Sequence, residues 1–309
     1  MISKVRTKEM VWLFLLHKIS PNFQKYSKSF FFWQKMGVVE PSWSIPVNHE
    51  EWKEAVVNRA RSMYERDKNH PSILIWSCGN ESYAGTGILA MSGYFHEKDK
   101  ERFVHYEGVF HNREYDAISD IESRMYAKPQ DIKEYLEQNL KKPYMSCEYM
   151  HAMGNSLGGM SLYTQLEDQY KQYQGGFIWD YMDQALLNQE GTLVYGGDFD
   201  DRPTDYCFCT NGIVYANRIE SPKMQEVKAL YSNIVMKFEE RDPKKLFITI
   251  QNKNLFQTTK DYEFSFSLNK EGIVLEEVRK ELYIEPQEEL VLEIPFSYPA
   301  ERLTIKSQV

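Results

Sequence analysis

The chain has 309 residues, enough for two domains at roughly 150 residues each. Its 42% hydrophobic and 27% charged residues are those of an ordinary globular protein, and a net charge of −8 excludes the basic footprint of a nucleic-acid binder. Four cysteines (Cys78, Cys147, Cys207 and Cys209) are too few and too irregularly spaced for a disulfide framework, and Cys207-Phe208-Cys209 lacks the spacing of a zinc or redox pair, so reduced thiols and a cytoplasmic setting are expected.

In chain order, Met10 to Leu16 is apolar and follows Lys4, Arg6 and Lys8. It is too short to span a bilayer, and no small-residue cleavage site follows, so neither a membrane anchor nor a leader is expected. Glu50 to Lys68 carries Trp52, Val56, Ala60, Met63 and Tyr64 at helical spacing, and Asn69-His70-Pro71 stops it. Ser72 to Trp76 reads as a buried strand, with further short strands at Val104 to Tyr106, Arg124 to Tyr126, Pro143 to Cys147 and Gly175 to Trp179. Helices are expected at 129–140, where Pro129 occupies the first turn, and at 160–173.

Strands alternating with helices imply parallel βαβ units. The strands are apolar without alternation, as when both faces are covered, and each ends in polar residues. About five such strands have the character of the later part of a (β/α)₈ TIM barrel, whose chemistry gathers at the C-terminal strand ends. From about Ile219 the pattern changes. Val235 to Phe238, Leu246 to Ile250, Tyr262 to Leu268 and Val291 to Ile294 alternate apolar and polar residues, which predicts an antiparallel β-sandwich. The expected division is an unmatched segment 1–32, an α/β portion 33–217 and a β portion 218–309.

Two carboxylates follow such strands, Glu81 after Trp76-Ser77-Cys78-Gly79-Asn80 and Glu148 after Tyr144-Met145-Ser146-Cys147. A pair at one barrel rim suits glycosidic cleavage. One protonates the leaving oxygen, and the other attacks the anomeric carbon or activates water. The 14% aromatic content is compatible with stacking of sugar rings, and equally with an aromatic-rich core.

The surrounding segments narrow the choice. Asn69-His70-Pro71-Ser72-Ile73-Leu74-Ile75-Trp76, Asn80-Glu81, Arg124-Met125-Tyr126-Ala127 and Cys147-Glu148-Tyr149-Met150-His151-Ala152-Met153-Gly154-Asn155 occur in that order. They are followed by Gln174-Gly175-Gly176-Phe177-Ile178-Trp179-Asp180 and Gly196-Gly197-Asp198-Phe199. Together they resemble the large β-galactosidases of glycoside hydrolase family 2 over roughly residues 33 to 295. The resemblance implies a retaining hydrolase of terminal β-D-galactosides such as lactose. Glu81 would be its acid/base, Glu148 its nucleophile, and Tyr126 a hydrogen-bond partner of that nucleophile. Asn80 would bind the sugar 2-hydroxyl, His151 other hydroxyls, and Trp179 the apolar sugar face. The family binds magnesium through the acid/base, here Glu81, together with a Glu-x-His, and sodium partly through a main-chain carbonyl and an Asn, here Phe208 and Asn211. Its members are homo-oligomers.

The match begins abruptly at Trp33-Gln34-Lys35-Met36-Gly37. Just upstream, where the Glu-x-His belongs, the chain reads Lys28-Ser29-Phe30-Phe31-Phe32, and Met1 to Phe32 resembles nothing in the family. The expectation is an N-terminally truncated chain with an incomplete magnesium site and little turnover by itself. The rival reading is a non-catalytic remnant, or a fragment that needs a complementing chain. A lectin-like galactose binder would leave the two carboxylates without a purpose.

Overall fold

The computed structural model describes residues 48–138, 141–242, 245–296 and 304–308, and the expectations for residues 1–32 lie outside them. The chain divides into two compact units, with the division along the sequence between Leu230 and Tyr231.

The first unit alternates helix and strand. Helix α1 (Glu50–Asp67) places Glu50 and Glu51 in its first turn, where acidic side chains complement the exposed N–H groups. Val56 and Ala60, one helical turn apart, are its buried apolar residues. Strand β1 (Ile75–Ser77) pairs in parallel with β2 (Phe103–His105), and α2 (Thr86–Lys98) connects them. Two 3₁₀ helices, Glu107–His111 and Arg113–Ile118, lead to β3 (Glu122–Met125). After it come α3 (Pro129–Glu137), β4 (Tyr144–Tyr149), α4 (Ser161–Gln169) and β5 (Tyr173–Ile178). Strands β3, β4 and β5 form a second parallel sheet with β4 in the centre, and all six β4 residues are buried. Between β2 and β3, the Asp120 N–H donates to the Val104 carbonyl at 2.9 Å, and the Asp120 carboxylate accepts the Val104 N–H at 2.7 Å.

Helix α2 was not foreseen. Gly87 and Gly93 weaken its local helical signal, but Ile88, Met91 and Phe95 fall on one face and are buried. Phe95 stacks on the fully buried Trp76 with ring centroids 5.5 Å apart. Packing therefore outweighs propensity in this segment. Strand edges also shift. Arg124 and Met125 end β3, so Tyr126 lies just beyond it, and Trp179 lies just beyond β5 rather than inside it. Strand β4 continues past Cys147, because Glu148 registers with Met125 on one side and Tyr149 with Ile178 on the other. The hairpin β6 (Leu186–Leu187) and β7 (Leu193–Val194) and the helix α5 (Met224–Leu230) complete this unit.

The second unit is antiparallel. Strands β8 (Ile234–Asp242), β9 (Lys245–Asn252) and β12 (Glu289–Ile294) form one sheet in the order β12-β9-β8. Strands β10 (Glu263–Lys270), β11 (Ile273–Glu281) and β13 (Thr304–Gln308) form another, with β10 in the centre. Ile248, Ile250, Phe264, Phe266 and Ile294 build its core. Strand β11 was also unforeseen. Among the described residues it pairs only with β10, and its apolar Ile273, Val274 and Leu275 are exposed, so no buried face imposes an apolar–polar alternation on its sequence.

Candidate active site

Five parallel strands of the first unit end in polar residues that gather at one place. After β1 the backbone turns through Gly79 (φ 148°) and Asn80 to Glu81, which is left-handed at φ 51°. After β2 come Tyr106 and Glu107, and after β3 comes Tyr126, also left-handed at φ 51°. Glu148 is the penultimate residue of β4, and Met150 beyond it has φ 53°. A left-handed non-glycine residue is uncommon, and three after the ends of β1, β3 and β4 mark backbone held by its surroundings.

Two of these turns, at Tyr126 and Glu81, have an identifiable restraint. The Tyr126 N–H donates to the Glu148 carbonyl at 2.8 Å, and the Tyr126 hydroxyl donates to Glu148 Oε2 at the same distance. Main chain and side chain thus both fasten Tyr126 to the neighbouring strand. Burial, followed by the Glu148 charge and this hydrogen bond, pushes the phenol well above its ordinary pKa, so it remains an O–H donor.

The Glu81 N–H donates to Glu107 Oε1 at 2.5 Å. Glu107 is only 6% exposed. Burial pushes its carboxyl up to about 8, backbone hydrogen bonds oppose the rise, and the nearby charges of Glu148 and Glu81 add to it. The charges of Glu81 and Glu148 thus both act on Glu107, and that of Glu81 also acts on Tyr126. Sequence reasoning missed Glu107. The available signal was its position directly after an apolar strand, the same signal that singled out the other two carboxylates.

On the other side of Tyr126, the His151 ring lies 5.9 Å from the Tyr126 ring and 5.7 Å from that of Phe208. Partial burial lowers the imidazole pKa against the opposing pull of Asp180. Trp179 closes the group: its N–H donates to the Tyr149 carbonyl at 3.2 Å, and its carbonyl accepts the Ala152 N–H at 2.6 Å. Its peptide bond to Asp180 is cis, and the Asp180 N–H donates to the Asn211 carbonyl at 2.7 Å. Asn211 is 3% exposed; its Nδ2 donates to the Phe208 carbonyl at 3.2 Å, and its Oδ1 is buried without a hydrogen-bond donor. Asn80 is half-buried directly before Glu81. The eight residues singled out from the sequence thus belong to one contiguous neighbourhood. Among the described residues no three His, Cys, Asp or Glu side chains form a group able to hold a metal ion, and no helix is long and apolar enough to cross a membrane.

Residues 25–236 match the family model described as glycosyl hydrolases family 2, TIM barrel domain, and residues 248–307 match that of β-galactosidase, domain 4. The β-galactosidase of Halalkalibacterium halodurans is 60% identical over 270 residues, covering 86% of this chain and 26% of that protein. The β-galactosidase of Clostridium acetobutylicum is 53% identical over 276 residues, 87% of this chain and 30% of the relative. The β-galactosidase large subunit of Leuconostoc lactis is 57% identical over 205 residues, 64% of this chain and 33% of that subunit. The chain spans about a quarter to a third of the length of these curated relatives. From the family-model match, which takes in most of its residues, and from the identities to β-galactosidases, the chain belongs to glycosyl hydrolase family 2.

Proposed function

We propose that the protein hydrolyses terminal β-D-galactosides with net retention, using Glu81 as acid/base and Glu148 as nucleophile. The observation that carries this reading is the pairing of Tyr126 with Glu148, set beside the left-handed turn at Glu81. Glu148 is 7% exposed, and its carboxylate accepts a phenol O–H, which orients it. In the first step Glu81 gives its proton to the glycosidic oxygen while Glu148 bonds to the anomeric carbon and the leaving group departs. In the second step the Glu81 carboxylate takes a proton from water, the water oxygen bonds to the anomeric carbon, and the bond to Glu148 breaks. Asn80 would meet the 2-hydroxyl, His151 another hydroxyl, and Trp179 the apolar face of the sugar. The names and identities of the relatives support galactose as the sugar.

The same reading extends to the scaffold. Parallel strands with polar ends support the later part of a TIM barrel, and the two antiparallel sheets of the second unit support a sandwich. Asn211, whose Oδ1 is buried without a donor and whose Nδ2 meets the Phe208 carbonyl, offers a hard oxygen of the kind that suits a sodium ion. Such an ion would fix the loop that packs Phe208 against His151. Glu81 by itself does not make a magnesium site among the described residues, so no step is routed through that metal. A cytoplasmic, oligomeric enzyme fits the free thiols and the relatives named large subunits.

The test is to incubate the purified protein that contains this chain with o-nitrophenyl β-D-galactoside and follow the first-formed sugar by NMR. The β-anomer should appear first, and a 2-deoxy-2-fluorogalactoside with a good leaving group should label Glu148 stoichiometrically. Release of the α-anomer first, or a label on another residue, would overturn the mechanism. The carboxyl carbons of Glu81 and Glu148 should lie about 5–5.5 Å apart in a crystal structure, whereas about 6.5–9.5 Å would speak for inversion.

A further inference from the structure

The turn after β1 is clasped along its whole length by the segment after β2. Glu107 Oε1 accepts the Glu81 N–H at 2.5 Å. The fully buried Tyr106 directs its hydroxyl to the Ser82 carbonyl, Asn112 Nδ2 donates to the Ala84 carbonyl at 2.9 Å, and the Tyr83 hydroxyl donates to the His111 carbonyl at 3.3 Å. Gly108 lets the two segments approach. A Cβ there would lie 2.5 Å from the Tyr106 ring and 2.7 Å from the Ser82 carbonyl oxygen, both closer than atoms can sit. Four consecutive residues, Glu81 to Ala84, are thereby tied to four residues of one facing segment, Tyr106, Glu107, His111 and Asn112.

A left-handed glutamate costs conformational energy and persists only where its surroundings over-determine it. The contact that bears directly on the Glu81 backbone is the carboxylate of Glu107. From these contacts we infer that Glu107 is a positioning residue for the acid/base, accepting the Glu81 N–H to hold that residue's left-handed backbone, and so its carboxyl, in register with the glycosidic oxygen. The inference rests on the acid/base role proposed for Glu81. It assigns Glu107 no contact with substrate. Its effect is indirect, because displacing a catalytic group by about 1 Å can cost about 10²-fold in rate.

The test uses the intact protein that carries this chain, labelled with ¹⁵N-glutamate, with the Glu81 amide identified by its disappearance in Glu81→Gln. In the wild-type protein that amide should be shifted downfield and protected from exchange. Glu107→Ala should move it upfield and expose it, whereas Glu107→Gln, which keeps a carbonyl oxygen at the same place, should largely retain it. Gly108→Ala should loosen the same amide without removing a carboxylate.

In turnover, Glu107→Ala should lose about 10²-fold in kcat on an alkyl galactoside, whose leaving group needs a proton, with Glu107→Gln recovering most of it. The loss on a dinitrophenyl galactoside should be several-fold at most, with KM near wild type on both substrates. A freely exchanging Glu81 amide in the wild-type protein overturns the inference without requiring any variant to fold. So does an unchanged amide in Glu107→Ala, or equal losses on the two substrates. If Glu81→Gln itself left hydrolysis intact, the proposed function would fall, while the amide measurement would still decide whether Glu107 anchors this turn.

Discussion

The unit that ends at Leu230 and the unit that begins at Tyr231 treat buried polar groups in opposite ways. The first buries Glu107, Glu122, Glu148 and Glu167, whereas the buried polar residues of the second, among the described residues, are Asn252, Asn254, Thr259 and Asn269, all neutral. Asn252 shows the second manner. Its Nδ2 donates to the carbonyls of Gln257, Ile284 and Glu285, and its Oδ1 accepts the Asn254 N–H, so it fastens two loops to the end of β9. A buried amide that meets its partners costs little. A buried carboxylate is expensive unless paired, and its presence asks what it is for. Glu122 answers with structure, since Arg113 grips it through two nitrogens at 2.7 Å and Arg124 adds a third bond at 2.9 Å. Glu107 is buried where the charge of Glu148 acts on it, an arrangement costly for stability and useful for proton transfer and attack. The contrast separates a unit whose buried polar groups are neutral from a site that accepts electrostatic cost.

The sharpest way to break the comparison is to remove the attacking carboxylate. Glu148→Gln should abolish galactoside hydrolysis, by on the order of 10⁶-fold where a nucleophile acts as a unit with its partners. The same change should leave stability unchanged or raise it, because a neutral amide removes a buried charge beside Glu107. Parallel activity and urea-unfolding measurements check both halves; a loss of activity together with a loss of stability would refute the assignment of cost to function.

A smaller effect follows at Glu122, which is 1% exposed and paired. Glu122→Ala should destabilise the first unit by about 3–5 kcal/mol, since it leaves the largely buried Arg124 without its anion. In the second unit, Asn252→Ala should cost about 1–3 kcal/mol, through carbonyls deprived of a donor, and should leave catalysis in the first unit untouched. Urea unfolding of each variant tests the ordering.

The smallest expected effect is a pH dependence at Asp99. Burial raises its carboxyl pKa, but the Trp76 indole N–H, the backbone N–H groups of Glu101 and Arg102 and the Arg102 guanidinium together hold it below the ordinary aspartate value. A lowered pKa means that the folded state binds fewer protons than the unfolded one. Its contribution is therefore present above the ordinary value of 3.8 and is lost as pH falls through the depressed one. Acid unfolding of the wild type and of Asp99→Asn should diverge most above pH 3.8 and converge below it. Parallel curves throughout would remove Asp99 from this account.

Much of this was legible from residues alone, because local chemistry and order along the chain carry it. Glu50 to Lys68 announces a helix through its apolar spacing and the Asn69-His70-Pro71 stop, and the structure ends α1 one residue earlier, at Asp67. The segment around Glu148 is specific enough to point to a family, and the residues at positions 80, 81, 126, 148, 151, 179, 208 and 211 all fall in one neighbourhood. Helix α2 was not legible, since its glycines hide a face that only Trp76 makes apolar. Glu107 carried one signal, its position directly after a short apolar strand, but its partner could not be read, since Glu107 lies 26 positions from the amide it accepts. Sequence determined which groups were available and in what order, because residue type and spacing are local. Only the tertiary structure decided that Glu107 meets the Glu81 backbone, that Tyr126 reaches Glu148, and that Arg113 and Arg124 share Glu122, because those partners are set by how parallel strands lie side by side.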